Sequence, residues 1–227
     1  MRRGWVNALV ALVVGIAAMV AVYKHFYPTY SYRYRLTVNT EVDGKTHSGS
    51  SVIEVTWYAF FLPSFHFVPE LRGQATVVDL GDRGVVAATL INGEDYGPAK
   101  DGALGALWIA AEAFGNHSTF EEIPELPRLR GRRDLALNKL PRLLWFSNPQ
   151  DPATAKKLLV QDIPSFFGPS AHFAGASLEI TSDPLVIDIR DKLPWLKALE
   201  QKPPGDDIIY LPSKPNISRS LFIGDSS

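Results

Sequence analysis

Residues 30–58, YSYRYRLTVNTEVDGKTHSGSSVIEVTWY, decide the fold, because they specify a long β-hairpin together with its register. Tyr30, Tyr32, Tyr34, Leu36, Val38 and Val42 alternate with Ser31, Arg33, Arg35, Thr37, Asn39, Glu41 and Asp43. A period of two puts the first set on the buried face of a strand and the second on its polar face. Asp43-Gly44 is a dipeptide favoured in a two-residue hairpin turn, where both central residues take positive φ and glycine has no Cβ to clash. That turn sets Val42 opposite Lys45, and so Tyr34 opposite Ile53, Tyr32 opposite Val55 and Tyr30 opposite Trp57. On the polar face it brings Arg33 to Glu54 and Asn39 to Ser48; a one-residue slip would break both patterns.

On the N-terminal side, Trp5 to Tyr23 (WVNALVALVVGIAAMVAVY) carries no charge and only Asn7 as a strongly polar member. Its nineteen residues, rising about 1.5 Å each, nearly cross a hydrocarbon core about 30 Å thick. No small-x-small cleavage site stands near Ala21 and the run is longer than a usual signal-peptide apolar region, so a retained single span is expected over a cleaved signal. Arg2, Arg3 and the terminal amine favour a cytoplasmic N-terminus, against Lys24, Arg33 and Arg35 on the other flank. The expected organisation is a cytoplasmic tip and transmembrane anchor at 1–24, a juxtamembrane linker at 25–29, a β-rich globular domain at 30–200 and an irregular C-terminal tail at 201–227.

The hairpin's length then fixes where its ends lie. At roughly 3.3 Å per residue the first strand travels about 40 Å and the second returns as far, so the chain near Tyr58 is expected beside Tyr30 and close to the membrane. The segment WYAFFLPSFHFVP that follows is expected to be a short loop holding Trp57, Tyr58, Phe60, Phe61, Phe65 and Phe67. With Tyr23, Phe26, Tyr27 and Tyr30 these rings form an aromatic collar for membrane or partner contact. Core packing, under a loop shaped by Pro63 and Pro69, is the competing reading.

The 227 residues, 46% of them hydrophobic, suffice for one domain and an anchor. Removing Arg2 and Arg3 from the 23 bases leaves 21 against 24 acids, a net charge of −3 on the remainder. A mildly acidic domain is a poor partner for nucleic acid. The absence of cysteine excludes disulfides, thiolate metal sites and thiol nucleophiles.

Further along, GQATVVDLGDRGVVAATLI (73–91) is a second hairpin turning at Gly81 to Gly84, apolar on both faces and therefore central. ALGALWIAAEAF is the main packed helix, with Leu104, Leu107, Trp108 and Ala111 on one stripe, Asp101 as cap, Gly115 at its end and Glu112 solvated. FEEIPELPRLRGRRD (120–134) is expected to be a surface connection in which Pro124 and Pro127 break any helix; Arg128, Arg130, Arg132 and Arg133 form a basic patch, either solvated or open to an acidic partner. LPRLLWFSN is a strand, DPATAKKLL a short helix capped by Asp151, and DIPSFFGP a helical turn stopped by Gly168. ASLEIT and LVIDIR are two more strands. The fold class is thus α+β and β-rich: an N-terminal transmembrane helix, an antiparallel sheet of hairpins, one main helix and short helical turns.

The chemical motifs are absences. There is no phosphate-binding glycine loop, no nucleophile elbow and no H-E-x-x-H pair. His25, His47, His66, His117 and His172 stand singly, without metal-ligand spacing. In THSGSS the hairpin puts His47 and Ser48 on opposite faces, while Gly49 and Ser51 read as small residues beneath a covering element. No catalytic, cofactor or metal residues are assigned.

The strings YRYRLTV, GSSVIEV, VVDLGD and FGPSAHFAGASLEITSDPLVIDIRDKLPWL, spread between residues 30 and 196, resemble a family of small uncharacterised, mainly proteobacterial proteins with an N-terminal membrane segment and a β-rich remainder. The resemblance implies a bacterial membrane-associated domain and carries over no activity, cofactor or site. The expectation is a non-enzymatic, single-pass protein of the bacterial inner membrane. Its domain is periplasmic and binds another envelope component or the membrane surface, with no nucleic acid and no cofactor. An extracytoplasmic hydrolase-like enzyme assembled from His66, His172, Glu112 or Asp188, and a small-ligand binding module, are the alternatives.

Overall fold

The hairpin forms in the register the sequence specifies. β1 (Thr29–Val42) and β2 (Lys45–Leu62) pair antiparallel from Val42↔Lys45 through Tyr34↔Ile53 and Tyr30↔Trp57 to Thr29↔Tyr58. At the turn Asp43 and Gly44 have φ of 53° and 71°. The computed structural model describes residues 2–62, 65–92, 105–117, 119–203, 206–211 and 216–224. Helix α1 (Arg2–Phe26) precedes the hairpin, and its segment Leu9–Phe26 is long and apolar enough to cross a membrane, with none of it buried against the protein.

The segment expected as a loop at 57–69 is instead the end of a second hairpin. β2 continues to Leu62 and β3 (Phe65–Gln74) returns beside it, with Ala59 opposite Phe67 and Leu62 opposite Phe65. Aromatic and β-branched residues favour a pleated surface. Pro69 is tolerated because β3 has a second strand partner only at Gly73 and Gln74.

Two main sheets result. The larger has the order β12-β3-β2-β1-β9-β6, with β6 (Arg132–Asp134), β9 (His172–Ile180) and β12 (Ile223–Gly224); the smaller runs β4-β5-β7-β8, with β4 (Thr76–Asp79), β5 (Val85–Asn92), β7 (Pro141–Phe146) and β8 (Ala155–Leu158). β10 (Ile208–Ile209) and β11 (Ile217–Ser218) form a separate pair.

The smaller sheet is buried on both faces along β4, β5 and β7, which is why those strands are mostly apolar, whereas β8 carries Lys156 and Lys157. Val78, Val86, Ala88, Leu90 and Leu143 pack toward Tyr34, Leu36, Val38 and Val55 of the large sheet. Val77, Val85, Ala87, Leu144 and Phe146 pack on the opposite side against Leu193, Leu196, Ile217 and Phe222. The sheets touch where β4 covers β2: a Cβ on Gly49 would stand 2.2 Å from the Val77 carbonyl oxygen. Beside it, Ser51 Oγ and Thr76 Oγ1 share a hydrogen bond of 2.6 Å. The expected covering element is β4.

Helix α2 (Gly105–Ala113) closes the first core. The Tyr34 and Tyr32 hydroxyls donate to the carbonyls of Ala106 and Leu107 at 2.6 and 2.9 Å, and burial raises both phenol pKa values well above ordinary. The Asn116 N–H bonds the Ala111 carbonyl and the Gly115 N–H the Glu112 carbonyl, with Gly115 at φ 86°, the paired bonds of a glycine-terminated helix. Asp101 and Leu104 lie outside the described residues. Glu112 is half-buried rather than solvated, with its carboxylate 2.7 Å from Lys139 Nζ.

Four local expectations are corrected. Residues Phe120–Arg128 form a 3-10 helix through both prolines and bury Ile123 and Leu126 completely. Asp151 does cap, accepting from the Ala153 N–H at 2.9 Å, but it starts only one 3-10 turn before β8. Residues 185–188 take no strand, and the chain enters α4 (Ile189–Lys192) and α5 (Leu196–Glu200). Within the expected irregular tail, Ile217, Phe222 and Ile223 are core residues. α3 (Ile163–Phe167) ends at Gly168 as expected, at φ 108°.

Gln74 ties the C-terminal layer to the sheets. Its Oε1 accepts from the Ile189 N–H at 2.9 Å and its Nε2 donates to Asp188 Oδ1 at 2.5 Å. The Gln74 amide, and then Lys192, hold the Asp188 carboxyl below its usual pKa. Gln74→Leu is expected to cost about 1–3 kcal/mol, because the buried Ile189 N–H loses its acceptor. The Asp188 share of that loss is present above the unfolded carboxyl pKa of about 4 and disappears as pH falls through the lower folded value. Denaturant unfolding in detergent at neutral and acid pH checks this: the gap between variant and wild type narrows in acid.

Candidate functional site

The end of the large sheet where α1 joins is the surface the sequence singles out. Between Phe26 and Thr29 stand only Tyr27 and Pro28, and the Ala59 N–H donates to the Pro28 carbonyl at 3.1 Å. The returning strand therefore meets the chain within two residues of the helix. From there β2 runs on past Pro28 for Phe60, Phe61 and Leu62, about 10 Å of strand.

Trp57 makes no surface at this end. It is 1% exposed, with its ring 4.7 Å from that of Trp108 and 6.3 Å from that of Phe120. Its alternation faces it inward beside Tyr30, and α2 and the 3-10 helix supply the cover. Phe67 is half-buried on the same face, edge-on to Tyr30 at 5.9 Å. Tyr58 points the other way and is 42% exposed; its hydroxyl donates to Glu70 Oε2 at 2.6 Å, a bond that raises the phenol pKa. The side chains of Phe60, Phe61 and Phe65 lie outside the described residues. Phe120 and Trp108 were not among the candidates of the sequence, since they reach this end only through tertiary packing. Phe120 is 54% exposed and edge-on to Trp108 at 6.1 Å.

The polar face behind is a ladder of paired charges. Arg33 bonds Glu54, Arg72 stands 3.6 Å from Glu54, and Arg35 bonds Asp183 and stands 3.6 Å from Glu179. The basic patch lies further along, exposed on the edge. Arg128 is held by Glu125 at 2.7 Å and Arg130 by the Pro127 and Leu129 carbonyls, while Arg133 lies over the Phe114 ring at 4.9 Å. Arg132 borders an open groove of about 420 Å³ with Asn39, Asp134 and Phe173.

No family model, curated protein or solved structure matches the chain.

The side chains weighed for catalysis have separate partners. His172 stands 3.7 Å from Glu41, Glu112 pairs with Lys139, and Asp188 pairs with Gln74 and Lys192. The His66 side chain lies outside the described residues. His47 Nδ1 is 2.8 Å from the Asp79 carbonyl oxygen. Among the described residues no three His, Asp or Glu side chains group as metal ligands would. The arrangement offers rings at the end of the sheet where α1 joins and guanidinium groups on one edge.

Proposed function

We propose that this is a single-pass membrane-anchored domain that works by contact rather than catalysis, binding the membrane surface or another component of the same envelope. The observation that carries the reading is the Ala59–Pro28 hydrogen bond, which fixes the end of the β2–β3 hairpin beside the end of the apolar helix. An exposed Tyr58 at that place, and exposed arginines on the edge formed by β6, supply the contact chemistry. Arg2 and Arg3 on the far flank of α1 favour a cytoplasmic N-terminus, and with it a periplasmic domain in a bacterial inner membrane.

In-cell photocrosslinking of the full chain from Tyr58 and from Arg132, followed by mass spectrometry, tests it. The expected result is lipid, or one envelope protein, attached at either position and lost when α1 is deleted. Equal capture by the chain without α1, or none from either position, contradicts the proposal.

A further inference from the structure

We infer that the domain is held end-on against the bilayer by an aromatic surface in which Phe120 and Trp108 join Tyr58 and Val68, and that it contacts the neutral interface rather than anionic headgroups. This rests on the reading of α1 as a membrane anchor.

Position comes first. Trp57, the ring against which Trp108 and Phe120 pack, lies opposite Tyr30. Tyr30 is four residues beyond Phe26, the last residue of α1, so at most about 14 Å of extended chain separates them. The occupant of this surface is thus the bilayer the helix enters. Exposure comes second: Phe120, Val68 and Tyr58 are all among the large apolar residues left open to solvent, and Trp108 is half-buried. Trp57 and Tyr58 are consecutive, so Phe120 and Trp108 flank one face of the sheet end while Tyr58 and its neighbour Val68 occupy the other. Rings on both faces of a sheet end match an approach by that end, and Trp and Tyr favour the membrane interface, where one edge is apolar and the other wet.

Charge decides the lipid class. The arginines of the outer face nearest the anchor, Arg33, Arg35 and Arg72, are engaged by Glu54, Glu179 and Asp183. Exposed Glu121 directly follows Phe120, and an anionic headgroup would repel it. Binding by rings needs no counter-charge and resists salt, whereas binding to anionic lipid does neither.

The chain has no cysteine, so single-cysteine variants of the full protein take one fluorophore each. Phe120→Cys, Val68→Cys and, within α1, Val14→Cys are labelled and reconstituted in phosphatidylcholine vesicles carrying nitroxide lipids. Leu137→Cys is the control: Leu137 is as exposed but borders Asn39, ten residues along β1 from Thr29, roughly 33 Å away. Quenching at 120 and 68 about twofold or more above that at 137 is expected, unchanged by high salt or by adding phosphatidylglycerol. If the label at 14 is quenched while 120 and 68 match 137, the anchor stands and the inference falls. If the label at 14 is not quenched, the anchor reading itself falls. Quenching at 120 that needs phosphatidylglycerol and vanishes in salt overturns the neutral-interface assignment.

Discussion

Trp57→Ala is expected to destabilise the domain by about 3–5 kcal/mol, the range for deleting a buried Trp or Phe side chain. Total stabilities lie near 5–15 kcal/mol, so the variant would be close to unfolding. The cost has two sources. The indole fills a site with 1% exposure, and its removal also takes away the ring that Trp108 packs against at 4.7 Å and Phe120 meets edge-on at 6.3 Å. Trp57→Phe keeps a ring and most of the volume, and should cost well under half as much. Denaturant midpoints of the three proteins in detergent provide the check; equal midpoints for wild type and Trp57→Ala would show that this ring is not in the core.

Gly49→Ala should destabilise by about 3 kcal/mol, the upper part of the usual overpacking range. The sign is the informative part. In a strand open to solvent, replacing glycine by alanine stabilises by about 0.4–1 kcal/mol, because the unfolded chain loses freedom. Here a methyl group would stand 2.2 Å from the Val77 carbonyl oxygen and 2.7 Å from its carbon. Both atoms are backbone held in the β4–β5 ladder, so neither can swing aside as a side chain could. β4 must lift off β2, weakening the Ser51–Thr76 hydrogen bond next to it. Gly44→Ala is the matched control: nothing lies within 4 Å of its added carbon, and only the strain of a left-handed backbone, about 1 kcal/mol, is expected. A Gly49→Ala protein more stable than wild type would refute the crossing of the two sheets.

Those contrasts also locate what the sequence makes legible. The first hairpin could be read residue by residue because its turn dipeptide and its alternation are both local and agree. Apolar residues on both faces marked β4 and β5 as buried, but only β5 is internal to its sheet; β4 stands at the edge and is covered by packing on β2. The pairing of β2 with β3 was hidden because Pro63, Pro69 and a dense aromatic run look like a loop, and only the pairing of Ala59 with Phe67 reveals the strands. Asp151 and Pro152 are a true helix-start signal, yet Ala155 and Leu158 are drawn into a strand by β7. LVIDIR has a strand-like composition but no strand partner; Ile189 is instead buried under Gln74, 115 positions away in sequence. Of the candidate contact residues, Tyr58 is exposed and Trp57 is not. The alternation already turns Trp57 inward and Tyr58 outward; what the local pattern cannot announce is that Trp108 and Phe120 cover the inward ring.

Permanent anchoring through α1 is the claim on which the rest depends. The intact mass of the chain recovered from membranes after an alkaline carbonate wash tests it most directly. The account predicts a chain in the membrane pellet that still carries residues 5–23, close to the full 25.1 kDa. A chain recovered in the wash, or one shortened to begin after Ala21, would contradict it.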